Sequence, residues 1–121
     1  MATFGDIVKV ELPPPVGRAG HEQFGFRPAI IIQDNNKFGS LPTTIVVPLT
    51  ANRSASRFTG TFPVKKSPTN GLTEDSIALV FQIRAIDKKR VKSQIGKFSA
   101  VELEELKKHL KDLIPLFKDS K

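Results

Sequence analysis

The sequence predicts a mainly β domain, a compact and strongly curved sheet or small barrel with one helix packed at its side. Two observations carry that expectation. Short β-branched runs follow one another between clusters of proline, glycine and asparagine, and leucines recur at helical spacing only near the C-terminal end. A length of 121 residues is most economically one domain, spanning 1–121, with a core of its own. No internal repeat, low-complexity tract or linker divides it.

The elements can be justified in order. Asp6–Leu12 alternates as a half-buried strand should, with Ile7 or Val8 leading one face, and Pro13-Pro14-Pro15 stops it. Residues 26–33 and Thr43–Thr50 are too short and too β-branched for helices, so they read as buried strands, neighbours in one sheet. Asp34-Asn35-Asn36 and Gly39-Ser40-Leu41-Pro42 supply the turn between them. Residues 60–64 form a short edge strand because Pro63 lacks a backbone donor, and 67–71 are a turn cluster. Residues 76–86 return to strand, with Ile77, Leu79, Phe81 and Ile83 on one face and Ser76, Ala78, Val80, Gln82 and Arg84 on the other. Ser99 and Glu102 then make a capping-box signature. Leu103, Leu106, Leu110, Leu113 and Ile114 follow at helical spacing until Pro115 discourages continuation.

Composition narrows the chemistry. Cysteine is absent and the two histidines, His21 and His109, lie far apart, so neither a disulfide framework nor a thiolate or histidine zinc site is expected, and no metal or other cofactor. No uninterrupted apolar stretch has membrane-spanning length and no leader is evident, which places the protein, by expectation, in the cytoplasm and away from membranes. The net charge is +7, and residues 35–73 hold no acid while carrying Lys37, Arg53, Arg57, Lys65 and Lys66. A surface of that sign concentrates polyanions, with nucleic acid the commonest, although solubility alone would also account for it.

Two motifs stand out against this background. Gly20-His21-Glu22-Gln23-Phe24-Gly25-Phe26-Arg27-Pro28 brings an imidazole and a guanidinium to the mouth of one apolar run. Thr44-Ile45-Val46-Val47-Pro48-Leu49 ends another in the hydroxyl of Thr50, just before the basic loop containing Arg53 and Arg57. A planar, permanently charged fork and a neutral hydroxyl donor both suit phosphate oxygens. Read alone, Arg27 is equally a surface ion pair with Glu22, and Thr50 a turn residue bonded to backbone.

Together with Gly5-Asp6-Ile7-Val8-Lys9-Val10, the segment from Asp75 to Asp87 and Ile95-Gly96-Lys97-Phe98-Ser99, these motifs resemble the MazF/PemK-type toxins of type II toxin–antitoxin systems over nearly the whole chain. The resemblance implies an SH3-like barrel of five to seven strands with a C-terminal helix, assembled as a homodimer. It also implies a ribosome-independent endoribonuclease that cuts single-stranded RNA, principally mRNA, without metal, and is held in check by a cognate antitoxin protein. Such cleavage needs the 2′-hydroxyl to lose a proton and attack phosphorus, a proton for the leaving 5′-oxygen, and donors for the phosphorane. The family's catalytic arginine and threonine correspond to Arg27 and Thr50. Histidine titrates near about 6.5 when unperturbed, which makes His21 the chemically natural proton-transfer group, while read alone it is equally a loop histidine bonded to backbone. The aspartate of the Kid-like branch corresponds loosely to Asp87, so the resemblance leaves two schemes, Arg27 with Thr50 alone or the same pair aided by His21.

Ser76, Gln82 and Arg84 resemble the family's substrate contacts, and Arg53 and Arg57 beside Phe58 suit backbone contact and base stacking. Phe24 and Phe26 stand between stacking platform and dimer contact. His109 reads as a solvated helix residue. Relatives with the same barrel inhibit DNA gyrase instead, a role that requires neither Arg27 nor Thr50.

Overall fold

The computed structural model describes residues 1–13 and 25–118. Seven strands form one antiparallel sheet: β1 Asp6–Leu12, β2 Gly25–Ile31, β3 Thr43–Thr50, β4 Thr61–Val64, β5 Ser76–Leu79, β6 Arg84–Asp87 and β7 Val91–Lys97. Their order is β4-β5-β3-β2-β1-β7, with β6 also laid against β3. The expected strands at 6–12 and 43–50 are observed at those bounds, and β4 is an edge strand as Pro63 requires.

The central strands are buried on both faces. Ile7, Ile30, Val47 and Leu49 join Phe62, Val64, Phe98 and Leu106 in one core, whereas Val8, Val10, Ala29, Ile31, Val46 and Ile86 form a second. Ile7 and Val8 therefore lead opposite faces, and both are fully buried; β1 shows water little more than Lys9 and parts of Asp6 and Glu11. This double burial explains why β2 and β3 read as continuous apolar runs rather than alternating ones.

The single strand expected over 76–86 is instead two. Leu49 and Thr50 of β3 pair with Ala78 and Ile77 of β5, while Thr43 to Val46 pair with Asp87 to Arg84 of β6. A 3-10 turn at Val80–Gln82 absorbs the change of register. The two-residue phase running from Ser76 to Arg84 is thus broken, and Ser76, Gln82 and Arg84 do not share one strand face. β5 is buried along its whole length, so it has no polar face.

Strand β7 was not anticipated. Its residues are mostly exposed, Val91 and Ile95 are its two large apolar side chains and lie four apart, and its pairing with β1 slips twice, so no strand-like hydrophobic period marks it. The helix α1 Ala100–Leu113 was legible. Ser99 Oγ accepts from the Glu102 amide at 3.2 Å and the Glu102 carboxylate accepts from the Ser99 amide at 2.7 Å. Leu106 seals the first core, Leu103 and Leu110 flank it, and the helix stops before Pro115. His109 is not a solvated bystander: its ring stacks on Phe62 at 5.0 Å and 13°, and its Nε2 lies 3.2 Å from Glu105.

Candidate active site

Strands β2 and β3 pair through Ala29 with Pro48, Ile30 with Val47 and Ile31 with Val46. Continuing that register by two residues sets Arg27 opposite Thr50, so two side chains far apart in sequence reach the same end of the same strand pair. Both line one cleft of about 410 Å³. Arg27 is half-buried on β2, across from Val10 of β1. Thr50 is 3% exposed, and its Oγ1 accepts from the Asn52 amide at 3.2 Å. The turn bond considered as the plain alternative for Thr50 is therefore present, but it uses an oxygen lone pair and leaves the hydroxyl proton to donate.

The opposite wall is the connection between β4 and β5. Gly71, Leu72, Thr73 and Glu74 line the cleft from that side. Gly71 has φ +70°, and a β-carbon there would lie 1.8 Å from the Ile95 carbonyl oxygen of β7, so this close approach admits only glycine. Asn70, fully buried, holds the turn. Its Oδ1 accepts from the amides of Ser67 (2.9 Å) and Leu72 (3.1 Å), and its Nδ2 donates to the Lys65 carbonyl (2.8 Å) and to Glu102 of α1 (3.0 Å). Lys9 and Phe26 complete the rim, the lysine Nζ lying 5.3 Å from the centre of the Phe26 ring. Sequence reasoning passed over Lys9 and Asn70. Lys9 was visible as the outward residue of β1, whereas the importance of Asn70 depends on three partners in its own loop and a fourth, Glu102, on the distant helix.

The remaining expected residues divide. Ser76 lines the cleft, yet it is buried and its hydroxyl donates to the Glu74 carbonyl at 3.0 Å, a bond that shapes the wall. Arg53 and Arg57 lie on a 3-10 turn, Arg53–Arg57, capped by Asn52 immediately after Thr50. Arg53 is 84% exposed and reaches Asp75 only at 4.0 Å. The Arg57 guanidinium sits 4.6 Å from the Phe58 ring centre, and Phe58 in turn meets Phe81 at 5.4 Å. Gln82 lies on the 3-10 turn before β6 and Arg84 starts β6, and neither is among the described residues lining the cleft.

Asp87 is excluded from this cleft. It pairs with Thr43 at the start of β3, seven residues from Thr50, which is about 23 Å along an extended strand. Its Oδ1 instead accepts from the Lys89 amide at 2.9 Å, capping a turn. His21, Glu22 and Phe24 lie outside the described residues. Among the described residues no three His, Asp or Glu side chains gather as a metal site would require, and no helix is long and apolar enough to cross a membrane.

Residues 3–114 match the sequence profile of the PemK-like, MazF-like toxins of type II toxin-antitoxin systems. The chain belongs to that family. It is 32% identical over 102 residues to the endoribonuclease MazF of Staphylococcus saprophyticus, covering 84% of this chain and 82% of that protein. The fold is that of MazF from Deinococcus radiodurans, with a TM-score of 0.74 at 22% identity over 94% of this chain and 96% of the other. A mycobacterial endoribonuclease solved in complex with its cognate antitoxin superposes with a TM-score of 0.71 at 16% identity, over 98% and 100% of the two chains. Seven strands and one C-terminal helix are thus the PemK/MazF architecture.

Proposed function

We propose that the chain is a toxin-type endoribonuclease that cleaves single-stranded RNA, chiefly mRNA, without a metal ion. The observation that carries this reading is the shared cleft of Arg27 and Thr50 at one end of β2 and β3. The name of the staphylococcal relative, an endoribonuclease, supports it. In the reaction the ribose 2′-oxygen loses its proton and bonds to phosphorus, the bond from phosphorus to the 5′-oxygen breaks, and that oxygen takes up a proton. The products carry a 2′,3′-cyclic phosphate and a 5′-hydroxyl. Arg27 holds the non-bridging oxygens with its fork of donors, and Thr50 donates its hydroxyl to the charge that grows on the phosphorane. DNA lacks the attacking hydroxyl and is spared.

His21 is assigned proton transfer on its chemistry. Arg53 and Arg57 extend the positive surface along which the strand lies, Ser76 shapes the cleft, and Gln82 and Arg84 are assigned contacts with RNA outside it. We assign the chain a two-fold dimer and a small antitoxin, whose acidic, initially disordered segment competes with RNA for the basic surface.

The test is incubation with long single-stranded RNA in chelator, beside Arg27→Ala. Discrete cuts ending in cyclic phosphate, lost in a folded variant, are expected. Equal cleavage by folded Arg27→Ala removes Arg27 from the mechanism. Intact RNA throughout, with growth arrest and DNA damage indifferent to Arg27, favours a barrel that inhibits a protein such as DNA gyrase.

A further inference from the structure

A second cavity, of about 660 Å³, opens between the loop that follows the Arg53–Arg57 turn and helix α1. Phe58 and Thr59 line it on one side, Phe81 behind, and His109, Asp112 and Leu113 of α1 on the other. Among the described residues it shares no lining residue with the Arg27 cleft. We propose that this cavity is a guanine-binding subsite for a nucleotide flanking the cleaved bond, an inference that rests on the ribonuclease reading for the identity of the strand but not for the binding itself.

Four observations support it. The volume of about 660 Å³ lies in the range of small-ligand sites. The walls are preformed. The Phe81 amide donates to the Gly60 carbonyl at 3.1 Å, and the Thr61 hydroxyl donates to the Phe58 carbonyl at 2.8 Å. Gly60 (φ +78°) packs so close that an added β-carbon would lie 3.2 Å from the Phe81 β-carbon. On the far side the His109 ring is fixed by its stack on Phe62 and by Glu105.

The chemistry of the lining suits a base. Phe58 and Phe81 are aromatic surface of the kind on which bases stack, and the Arg57 guanidinium over Phe58 adds a cation for the attached phosphate. Among the bases, guanine presents two adjacent N–H donors on its pairing edge, N1–H and N2–H, and a carboxylate such as Asp112 accepts both. Adenine and cytosine offer an amino group beside an acceptor, which a carboxylate repels. The position is also right for a continuous strand. Thr50 of the cleft and Phe58 of the cavity are the two ends of one connection, and that connection carries both Arg53 and Arg57. A chain leaving the cleft along the basic turn arrives at the cavity.

The experiment uses guanosine, adenosine and cytidine 5′-monophosphates titrated into the whole protein. Resonances of the His109 ring and of the α1 amides report on the cavity, with Asp112→Asn and Phe81→Leu as variants. GMP should shift the α1 and His109 signals selectively, and Asp112→Asn, a surface change, should weaken GMP binding about tenfold or more. In parallel, RNAs that differ only in placing G or A beside the mapped cut should be cleaved unequally by the wild type and equally by Asp112→Asn. No shift around the cavity with GMP, or equal shifts with all three nucleotides, overturns the subsite even if RNA is cleaved. Selective GMP shifts without any RNA cleavage uphold the subsite and reject the ribonuclease reading.

Discussion

Replacing Asn70 by alanine tests how the cleft wall is held. The side chain is fully buried and makes four hydrogen bonds, two accepted from backbone amides and two donated to Lys65 and Glu102. Alanine removes all four. The Leu72 amide, in a buried residue, then bears a desolvation cost of about 1–3 kcal/mol. The Ser67 amide and Lys65 carbonyl are nearer water and together lose about 1–2 kcal/mol. The sum, about 2–5 kcal/mol, is a large part of the roughly 5–15 kcal/mol that holds a domain of this size. At about 4 °C per kcal/mol, the midpoint of thermal unfolding should fall by about 8–20 °C. Asn70→Asp retains the two accepting bonds, loses both donated ones and sets a carboxylate beside Glu102, so it should lie between alanine and wild type. Calorimetry of the three proteins gives the ranking. A loss below about 1 kcal/mol for Asn70→Ala would refute the assignment of Asn70 as the staple of this wall.

Other expectations follow from the same geometry. Thr50→Val should lower cleavage by about 100-fold or more while costing no more than about 1 kcal/mol of stability, because only the exposed Asn52 amide loses its partner; Thr50→Ser should retain most activity. Gly71→Ala should destabilise far more than Gly25→Ala in urea titrations. Both have positive φ, worth about 1–2 kcal/mol to a non-glycine residue, but a β-carbon at Gly25 meets nothing within 4 Å among the described residues and one at Gly71 overlaps Ile95. RNA binding by an inactive variant should weaken with salt, and Arg53→Ala and Arg57→Ala should each reduce the slope of log affinity against log salt by about 0.7; an unchanged slope would remove those residues from the RNA path.

Much of this protein was legible because its signals are local. The strands at 6–12 and 43–50 are bounded by proline and glycine, and Ser99 with Glu102 announces a helix whose cap closes within four residues. The two motifs that end in Arg27 and Thr50 were visible as chemistry, but their meeting depends on the β2–β3 register, which brings two strand ends together only once the sheet has formed. The uninterrupted reading of 76–86 failed for a related reason. With both faces of β5 buried, side-chain pattern carries no record of where the backbone turns, and the break is set by which half of β3 each segment meets. Strand β7, mostly exposed, owes its position to β1 and to Gly96 packed against Asn70 rather than to any alternating pattern of its own. The sequence by itself determined the class of fold, the family, the excess of positive charge and a pair of side chains whose chemistry suits phosphate, since each follows from residue type and short-range order. Tertiary structure alone decided that Asp87 lies a strand's length from Thr50, that Asn70 ties the cleft wall to the helix, and that Phe58, Phe81 and Asp112 line a second, open hollow. Those relations join segments distant along the chain, and only packing brings them together.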